Sequence, residues 1–378
     1  MHVLVITAQY PPTLGGAELQ AQRLARALDA RGVRVTVLTR PCSGTPLMDA
    51  ERGVRIVRGL SALSLGPAWG LTYMLSAHRW VRRLAAEWDL IHNHQVSLHS
   101  WISLRAARAL GRPCLLRFAC SGPGGDLAVL RQQRFGRWQV SALRAATRLV
   151  ALTPGAAEEI QSFGLPSDRI RIIPNGVDVE SFTVQPWPAP AAREPLRLLF
   201  VGRLHAQKGM DVLLEALRRT QRPADFSLRV VGAGPELERL RTQAAQAGLA
   251  SVVQFWGQQN DLLAHYAWCE VVVLPSRFEG MPNAVLEAMS CARPTLGTAI
   301  DGTADLLADG AAGWLAEKDN AAALAVHLER LLNDRQRLPS YGHAGRLLAE
   351  RRYSIEHVAS TYIREYEAML ADRAPRPS

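Results

Sequence analysis

The stretch VVVLPSRFEGMPNAVLEAMSCARPTLGT (271–298) decides the fold of this chain. It opens with a run of apolar, mostly β-branched residues, which is typical of a strand buried on both faces of a parallel sheet. A helical pattern follows over Asn283–Ser290, and a second apolar run follows at 294–298. A strand, a helix and another strand in this order predict a βαβ unit.

The same alternation of short apolar runs with helical patterns continues along the rest of the chain. The other predicted strands are 2–7, 33–39, 54–58, 89–93, 114–118, 148–152 and 171–174 in the first half, and 196–201, 227–232 and 252–257 in the second. Strands that alternate with helices predict an α/β fold with parallel sheets.

A proline-rich segment divides the chain. TVQPWPAPAAREP (183–195) contains four prolines and no periodic pattern, so it is predicted to be a linker. We therefore expect Rossmann-like domains at 1–182 and 196–352, facing each other across a cleft that binds the ligand. Residues 353–378 are predicted to form an amphipathic helix and a short tail.

The composition is that of a globular enzyme. Hydrophobic residues make up 48% of the 378 residues and charged residues 21%, which excludes wholesale disorder. There is no run of about 18 uncharged apolar residues, and the N-terminal apolar run lacks the preceding basic region of a signal peptide. The five cysteines form no C-x-x-C pair, which argues against a disulfide framework and a zinc site. We expect a cytoplasmic protein.

The charge is unevenly distributed. The formal net charge is +10, and 42 of the 44 basic residues are arginine. Residues 1–182 hold 22 basic and 12 acidic side chains, whereas residues 183–378 hold 22 of each, so all of the excess lies in the first half. Nucleic-acid binding is the simplest interpretation of such a basic chain. We discount it because the basic residues are dispersed and accompany no recognised binding module.

The segment PPTLGGAELQ (11–20) follows the first predicted strand. Gly15 and Gly16 open the next helix, whose first N–H groups can then approach an anion closely. An ordinary tight turn between strand and helix explains the glycines equally well.

A second loop of this kind lies in VGRLHAQKGMDVLLEAL (201–217). Gly202, Arg203 and Lys208 lie between a strand and a helix, and Lys208 is one of only two lysines in the chain. Two cations beside a helix start can hold a diphosphate, although solvated loop cations are the alternative. Gly234, in VGAGPELERL (231–240), opens a third glycine turn, which helix–strand packing explains as well as nucleotide binding does.

The most specific signal is the E-x7-E spacing of Glu279 and Glu287. Glu279 lies in a loop at the carboxyl edge of the predicted sheet, where a carboxylate can accept hydrogen bonds from sugar hydroxyls. Glu287 lies one turn into the next helix, where a carboxylate can bind a ribose diol. The backbone N–H groups of Gly280, Met281 and Asn283 can face a diphosphate, Pro282 has no N–H, and Asn283 is predicted to cap the helix. Ordinary helix capping and a surface carboxylate are the alternative interpretation.

Two histidines occur in DLIHNH (89–94), and we expect both at the carboxyl end of a strand. His94 is a candidate for a hydrogen bond to the acceptor or the transferred sugar, and a purely structural histidine is the alternative. No acidic residue lies at metal-ligand spacing, so we predict no metal site.

Taken together, these motifs resemble glycosyltransferase family 4, which has the GT-B fold. The resemblance also includes NGVD (175–178), VQFWG (253–257) and DGAAGWL (309–315), and it runs over nearly the whole chain in matching order. It implies a retaining, metal-independent transfer of a sugar from a nucleotide-diphosphate donor, without a cofactor. It further implies that the N-terminal domain binds the acceptor, that the C-terminal domain binds the donor, and that the last helix returns to the N-terminal domain.

The resemblance also assigns roles to residues. Arg203 and Lys208 would hold the donor diphosphate, Glu279 would bind the transferred sugar, and Glu287 would bind the ribose. Gly16 would approach the reaction centre from the N-terminal domain.

One segment departs from the family. Many members carry a histidine after the strand that corresponds to 114–118, but this chain has RFACSGPGGD (117–126), with Ala119 and Cys120 at the expected place. Ser121 and Asp126 are the candidates to contact the acceptor or sugar there.

The function predicted from the sequence is a retaining glycosyltransferase, with a UDP-sugar as the favoured donor, in the synthesis of a surface polysaccharide or glycolipid. A GT-B sugar-nucleotide epimerase and a non-catalytic sugar-nucleotide-binding protein are the alternatives. The E-x7-E spacing disfavours the epimerase, and the absent histidine is the only support for lost catalysis.

Two segments of the first half combine arginines with aromatic residues, which suits an anionic membrane interface at the inner face of the cell membrane. They are 69–88, with Trp69, Tyr73, Arg79, Trp80, Arg82, Arg83 and Trp88, and 131–148, with Arg131, Arg134, Phe135, Arg137, Trp138, Arg144 and Arg148. Such docking would bring the enzyme to a lipid-linked acceptor. Amphipathic helices packed on the first sheet are the alternative.

Overall fold

The computed structural model describes residues 1–13, 15–63, 69–133, 135–188, 194–307 and 310–372. The chain forms two compact units. The first contains Met1–Gly176 together with Ile355–Ser378, and the second contains Val177–Ser354. Each is built on a largely parallel sheet flanked by helices, which confirms the predicted α/β fold class.

The first unit has an eight-stranded sheet in the order β3-β4-β2-β1-β5-β6-β7-β8. All neighbouring strands pair in parallel except β3 and β4. The central strand β1 is buried along its whole length, as its continuous apolar sequence predicts. The strands are β1 (His2–Ile6), β2 (Arg34–Leu38), β3 (Met48–Glu51), β4 (Val54–Val57), β5 (Leu90–Asn93), β6 (Cys114–Arg117), β7 (Arg148–Ala151) and β8 (Ile170–Ile172).

Helices cover this sheet with their apolar sides. They are α1 (Gly16–Asp29), α2 (Trp69–Arg83), α3 (Leu98–Ala109), α4 (Asp126–Gln132), α5 (Gly136–Ala142), α6 (Pro154–Ser162) and, from the end of the chain, α14 (Ile355–Ala371). Within the described part of the chain, no helix has both the length and the apolar character needed to cross a bilayer.

The last helix, α14, is part of the first unit, as predicted. Its residues Tyr362 and Tyr366 are almost fully buried in the same apolar cluster as Val3 of β1 and Leu24 of α1. The hydroxyl of Tyr366 lies 2.5 Å from Nδ1 of His92, at the centre of the sheet. Burial of these large side chains makes the end of the chain an integral part of the first core.

The second unit has a six-stranded, wholly parallel sheet in the order β11-β10-β9-β12-β13-β14. Its strands are β9 (Leu196–Val201), β10 (Phe226–Val231), β11 (Val253–Gly257), β12 (Val271–Leu274), β13 (Thr295–Thr298) and β14 (Gly313–Ala316). Its helices are α7 (Met210–Arg219), α8 (Leu237–Gln246), α9 (Leu263–Trp268), α10 (Asn283–Ser290), α11 (Asp301–Leu307), α12 (Ala321–Asn333) and α13 (Leu338–Leu348).

The segment around the predicted linker is held by two arginines, of which Arg293 is buried and Arg346 is partly exposed. Arg346 donates to the carbonyls of Val179 (3.1 Å) and Phe182 (3.0 Å). Arg293, 1% exposed, donates to the carbonyl of Pro186 at 2.7 Å. Residues 177–182, which the sequence analysis placed in the first domain, therefore pack with the second unit. Residues 189–193 of the predicted linker lie outside the described residues.

Two strands were not predicted from the sequence. Strand β3 reads MDAE and is mostly exposed at the edge of its sheet, so it carries no alternating apolar signal. Strand β14 has only four residues, and two of them are half-buried. Both are edge strands, whose pairing depends on the neighbouring strand more than on their own composition.

Candidate active site

Strands β9 and β12 are neighbours in the second sheet, so the loops at their carboxyl ends meet. The first loop carries Lys208 and the second carries Glu279, and the Lys208 ammonium donates to Oε1 of Glu279. The Lys208 side chain is 19% exposed and that of Glu279 is 8% exposed. The structure therefore brings together two predicted site residues that are 71 positions apart in the sequence.

The Glu279 carboxylate has a second donor. Ser276, which is completely buried, donates from its hydroxyl to the same Oε1 atom at 2.7 Å. Such charge-assisted hydrogen bonds hold the carboxylate in one orientation. The pair is thus pre-organised by the protein itself.

A glycine sets the close approach of the two loops. Gly209 has a left-handed backbone with φ +62°, and a Cβ atom there would lie 2.0 Å from the carbonyl oxygen of Pro275. Any side chain at this position would force the loops apart, because both the backbone angle and the space exclude it. Lys208 keeps its place beside Glu279 for this reason.

Arg203 lies in the same loop as Lys208 but is exposed to solvent. Its guanidinium has no hydrogen bond or ion pair with any residue that the structure describes. The two cations of the predicted diphosphate clamp thus differ. Lys208 is fixed by Glu279, while Arg203 has all five N–H donors available for a ligand.

Glu287 is buried on α10, where its side chain meets Tyr266 of α9. The Tyr266 hydroxyl donates to Oε2 of Glu287 at 3.0 Å, and Glu287 is 3% exposed. Burial, together with the neighbouring Glu287 carboxylate, raises the pKa of Tyr266 well above its usual range, so the phenol stays a donor. Ribose binding by Glu287 remains a prediction.

The glycine loops beside this pair are tightly packed. A Cβ atom at Gly234 would lie 2.2 Å from the Leu204 carbonyl oxygen, and one at Gly232 would lie 1.9 Å from that of Gly202. Close packing of the turn after β10 on the loop after β9 therefore accounts for these glycines.

The segment before α10 differs from the prediction in one respect. The helix begins at Asn283 itself, and Pro282 occupies the N-cap position without a side-chain cap. Asn283 was predicted to be the cap, and this was wrong, because its backbone already has helical geometry. Gly280 and Met281 are buried just before the helix. A Cβ atom at Gly302 of α11 would lie 2.0 Å from the Gly280 carbonyl oxygen, so this segment is closely covered.

In the first unit, Gly15 is the N-cap of α1 and Gly16 is the first helical residue, as predicted. His94 follows β5, the neighbour of β1, and is 1% exposed. Neither of its ring nitrogens has a well-formed hydrogen bond to a described residue, although the backbone of Ala17 lies close to the ring. Burial, and then the Arg117 charge, lower the pKa of His94 well below its usual range, so the imidazole is neutral.

The glycine-rich loop after β6 closes on itself. Oδ2 of Asp126 accepts a hydrogen bond from the Ala119 amide at 2.6 Å, across the turn that contains Ser121. Burial raises the pKa of Asp126 to about 6, against the opposing effect of this hydrogen bond. A Cβ atom at Gly125 would lie 2.7 Å from the Cys120 carbonyl oxygen, so the turn requires its glycine. The visible role of Asp126 is to hold the loop in shape.

Sequence reasoning missed three residues of the candidate site: Ser276, Tyr266 and Arg277. Ser276 and Arg277 lie inside the quoted PSRFEG run, so their position was a signal. Ser276 lies only three residues before its partner Glu279, whereas the carboxylate partners of Arg277 are distant in sequence. Nothing in the sequence singled out Tyr266.

Comparison with known proteins gives matches in both halves of the chain. Residues 14–181 match the family model described as Glycosyltransferase Family 4, and residues 195–334 match the model described as Glycosyl transferases group 1. The chain is 31% identical to the D-inositol 3-phosphate glycosyltransferase of Geodermatophilus obscurus, over 94% of this chain and 86% of that protein. It is also 31% identical to the phosphatidyl-myo-inositol mannosyltransferase of Mycobacterium leprae, over 94% and 93% of the two chains.

A solved structure shows the same fold. The crystal structure of Anabaena Alr3699/HepE in complex with UDP and glucose superposes with a TM-score of 0.79 at 20% identity, over 97% of this chain and all of that one. The two sequence relatives are named as transferases, and neither is named as an epimerase. With sequence similarity over nearly the whole chain, two matching family models and a shared GT-B fold, the protein belongs to glycosyltransferase family 4.

Proposed function

We propose that this protein transfers a sugar from a nucleotide-diphosphate donor, with retention and without a metal ion, to a hydroxyl group of a glycan or lipid-linked acceptor. The observation that carries this proposal is the Lys208–Glu279 pair, which lies where the loops after β9 and β12 meet. It presents an ammonium and a carboxylate side by side. Such a pair suits a donor that consists of a diphosphate joined to a polyhydroxylated sugar.

The ammonium of Lys208 can serve both groups. It has three N–H donors, and Glu279 uses one of them, so two remain for phosphate oxygens. When the anomeric C–O bond breaks, the electron pair goes to the departing diphosphate. The fixed charge of Lys208 and the available guanidinium of Arg203 stabilise the negative charge that develops there.

The acceptor oxygen forms the new bond on the face that the diphosphate leaves, and its proton passes to a diphosphate oxygen. This route needs no protein base, which suits a chain whose candidate histidine, His94, is a weak base because burial lowers its pKa. His94 serves in it at most as a hydrogen-bond partner.

We propose a UDP-sugar as the donor, with Glu287 at the ribose and the amides of Gly280–Asn283 near the diphosphate. The Anabaena HepE complex holds UDP and glucose, which makes UDP-glucose the natural first donor to test. The two relatives named above act, by their names, on an inositol phosphate and a phosphatidyl-inositol. An acceptor that carries a phosphate or a lipid is therefore our proposal for this chain as well.

A panel assay tests this function. The purified protein is incubated with UDP-, GDP- and ADP-sugars, with and without lipid-linked and phosphorylated acceptors, and the released nucleoside diphosphate is measured. We expect acceptor-dependent release that persists in excess chelator, and NMR of the product should show the donor's anomeric configuration. Loss of activity with chelator, or inversion at the anomeric carbon, would contradict the proposed mechanism.

We also propose that the first unit docks on anionic membranes at the cytoplasmic face. The α2 residues Leu71, Leu75 and Arg82 are exposed, and their spacing places them along one side of the helix. Phe135 and Trp138 are 67% and 66% exposed at α5. An exposed apolar stripe flanked by arginines fits the interface of an anionic bilayer.

Not every predicted aromatic takes part in this surface. Tyr73 and Trp88 are 2% exposed and belong to the core of the first unit, which favours the packing interpretation for these two residues. Arg148 is paired with Glu365 of α14 at 3.2 Å. Arg134 lies outside the described residues. The docking surface is therefore defined as Leu71, Leu75, Arg82, Phe135 and Trp138.

Vesicle flotation tests the docking surface. We expect binding to anionic vesicles that weakens with salt, and weaker binding by the double variant Phe135→Ser/Trp138→Ser. Val326→Ser is the control, because Val326 is 49% exposed but lies on the second unit. Equal failure to bind anionic and neutral vesicles at low salt would leave a soluble acceptor.

A further inference from the structure

Arg277 joins the two loops that carry the Lys208–Glu279 pair. It lies two residues before Glu279, and its guanidinium reaches Asp211 in the first turn of α7, three residues after Lys208. The contact is bidentate, with Nη1 at 3.0 Å from Oδ1 and Nη2 at 2.9 Å from Oδ2 of Asp211. This fork geometry fixes direction as well as distance, which a lysine at the same place does not do.

A third segment is fixed by the same guanidinium. Nε of Arg277 donates to Oδ1 of Asp319 at 2.7 Å, in the loop after β14. Asp319 has a left-handed backbone with φ +57°, a conformation that costs free energy for a residue with a side chain. The acidic pair of Asp211 and Asp319 thus holds Arg277 from two sides.

Backbone contacts reinforce the connection. The Arg277 amide donates to the Gln207 carbonyl at 2.8 Å, and Nε2 of Gln207 donates to the Phe278 carbonyl at 2.8 Å. The guanidinium also donates to the carbonyl of Ala206. Residues 206–207 and 277–278 are therefore locked together immediately beside both members of the ion pair.

The geometry points to Arg277 as a positioning residue that sets the distance between Lys208 and Glu279, an inference that rests on the proposed function. Its guanidinium has five N–H groups, and four are taken by Asp211, Asp319 and Ala206. Its charge is compensated by two carboxylates, so it is a poor ligand for a diphosphate. It acts through Lys208 and Glu279 instead.

The competing explanation is that Arg277 only stabilises the fold. The exposure of its ion pairs helps to distinguish a stabilising role from a positioning role. The side chains of Arg277, Asp211 and Asp319 are 28%, 27% and 48% exposed. Asp211 and Asp319 also line a cavity of about 700 Å³ that is open to solvent. Ion pairs exposed to this extent usually contribute only modestly to the free energy of unfolding, and a bidentate pair such as this one lies at the upper end of the usual range. Misplacing a reacting group by about 1 Å, in contrast, costs up to about 100-fold in rate.

The test is a double-mutant cycle. Turnover, donor KM and Tm are measured for Arg277→Gln and Arg277→Lys, each in the wild-type and in the Glu279→Gln background. We expect kcat to fall about 10- to 100-fold in the wild-type background, with Tm within about 2 °C. The kcat of Arg277→Lys should also be low, because lysine keeps the charge but cannot form the bidentate contact with Asp211. In the Glu279→Gln background the effect of Arg277→Gln should shrink to about 3-fold or less, because residues that act as one unit are not additive.

Arg239→Gln is the matched control. Arg239 lines the same cavity and pairs with Glu236 at 2.6 Å, and no hydrogen bond or ion pair joins its side chain to a described residue of either loop of the Lys208–Glu279 pair. It should turn over normally. Equal losses for Arg277→Gln in both backgrounds, or near-normal turnover, would overturn the inference.

The affinity for UDP tests the role of Arg277 even if the proposed transfer of a sugar is wrong. If the wild-type protein binds nucleoside diphosphate but transfers no sugar from any donor in the panel, the proposed function fails. Arg277 is then judged by titration with UDP. Arg277→Gln should weaken binding at least 3-fold while Arg239→Gln does not, and unchanged affinity would overturn the role of Arg277.

Discussion

The two units differ in their net charge and in how their cations are paired. The first unit, Met1–Gly176 with Ile355–Ser378, holds 25 basic and 14 acidic residues, a net of +11, whereas Val177–Ser354 holds 19 and 20, a net of −1. In the second unit, Lys208 and Arg277 have carboxylate partners inside the protein. On the first, exposed arginines such as Arg82 of α2 have no such partner among the described residues. The second unit thus pairs Lys208 and Arg277 internally, while the first carries a net positive charge that its own carboxylates do not neutralise.

The largest effect should come from the cations of the second unit. We expect Lys208→Ala and Arg203→Ala each to lower transfer about 10²- to 10³-fold with an unchanged fold, because each removes a cation that stabilises the negative charge developing on the diphosphate. Turnover at saturating donor and circular dichroism measure this. Lys318→Ala is the control, since Lys318 is the only other lysine and is exposed. If both variants turned over normally, Lys208 and Arg203 would not belong to the active site.

Glu279 and Glu287 of the second unit should affect different properties of the enzyme when they are replaced. We expect Glu279→Gln to weaken transfer more than nucleotide binding, and Glu287→Gln to weaken nucleotide binding itself. Each lost charge-assisted hydrogen bond should cost about 1.5–3 kcal/mol. Titration with free UDP distinguishes them, and an equal loss of affinity in both variants would show that the sugar and ribose roles are wrongly divided.

The smallest effect on turnover should come from Asp126 of the first unit. An asparagine can still accept the Ala119 hydrogen bond, so we expect Asp126→Asn to stay within about 3-fold of wild-type activity. A much larger loss would indicate that Asp126 contacts the substrate, and the first unit would then also contribute to the active site.

The same variant has a pH signature. The pKa of Asp126 is raised from 3.8 to about 6 in the folded protein, so the folded state binds more protons than the unfolded state between these values. Stability conferred by this group is therefore complete below about pH 4 and is lost as the pH rises through about 6. Urea titrations from pH 4 to 7 should show a decline in the wild type that Asp126→Asn lacks. If the stabilities of the wild type and Asp126→Asn changed with pH in parallel, the raised pKa of Asp126 would be wrong.

Much of this structure could be predicted from local pattern. Strand β9 and helix α10 have the bounds that were predicted, because continuous apolar runs and helical periodicity are properties of adjacent residues. The E-x7-E segment was found because its two carboxylates lie on one strand–loop–helix unit. Strand β3 was missed because an exposed edge strand takes its conformation from its neighbour.

The role of Arg277 could not be predicted for a similar reason. Its partners Asp211 and Asp319 lie 66 and 42 residues away, and only the sheet order brings them together. Tyr266 likewise meets Glu287 only because α9 and α10 are placed side by side. Local sequence indicates which side chains are chemically able to act, while the fold decides which of them meet.

The burial of α14 in the first core has a consequence for synthesis. The second unit is one continuous segment, so it is complete on the ribosome before the last 24 residues of the first unit are made. Until then, the surfaces of β1 and α1 that Tyr362 and Tyr366 cover in the finished protein face water. We therefore expect the N-terminal half, although translated first, to mature last, and a stop codon after Ser354 to leave an aggregation-prone product.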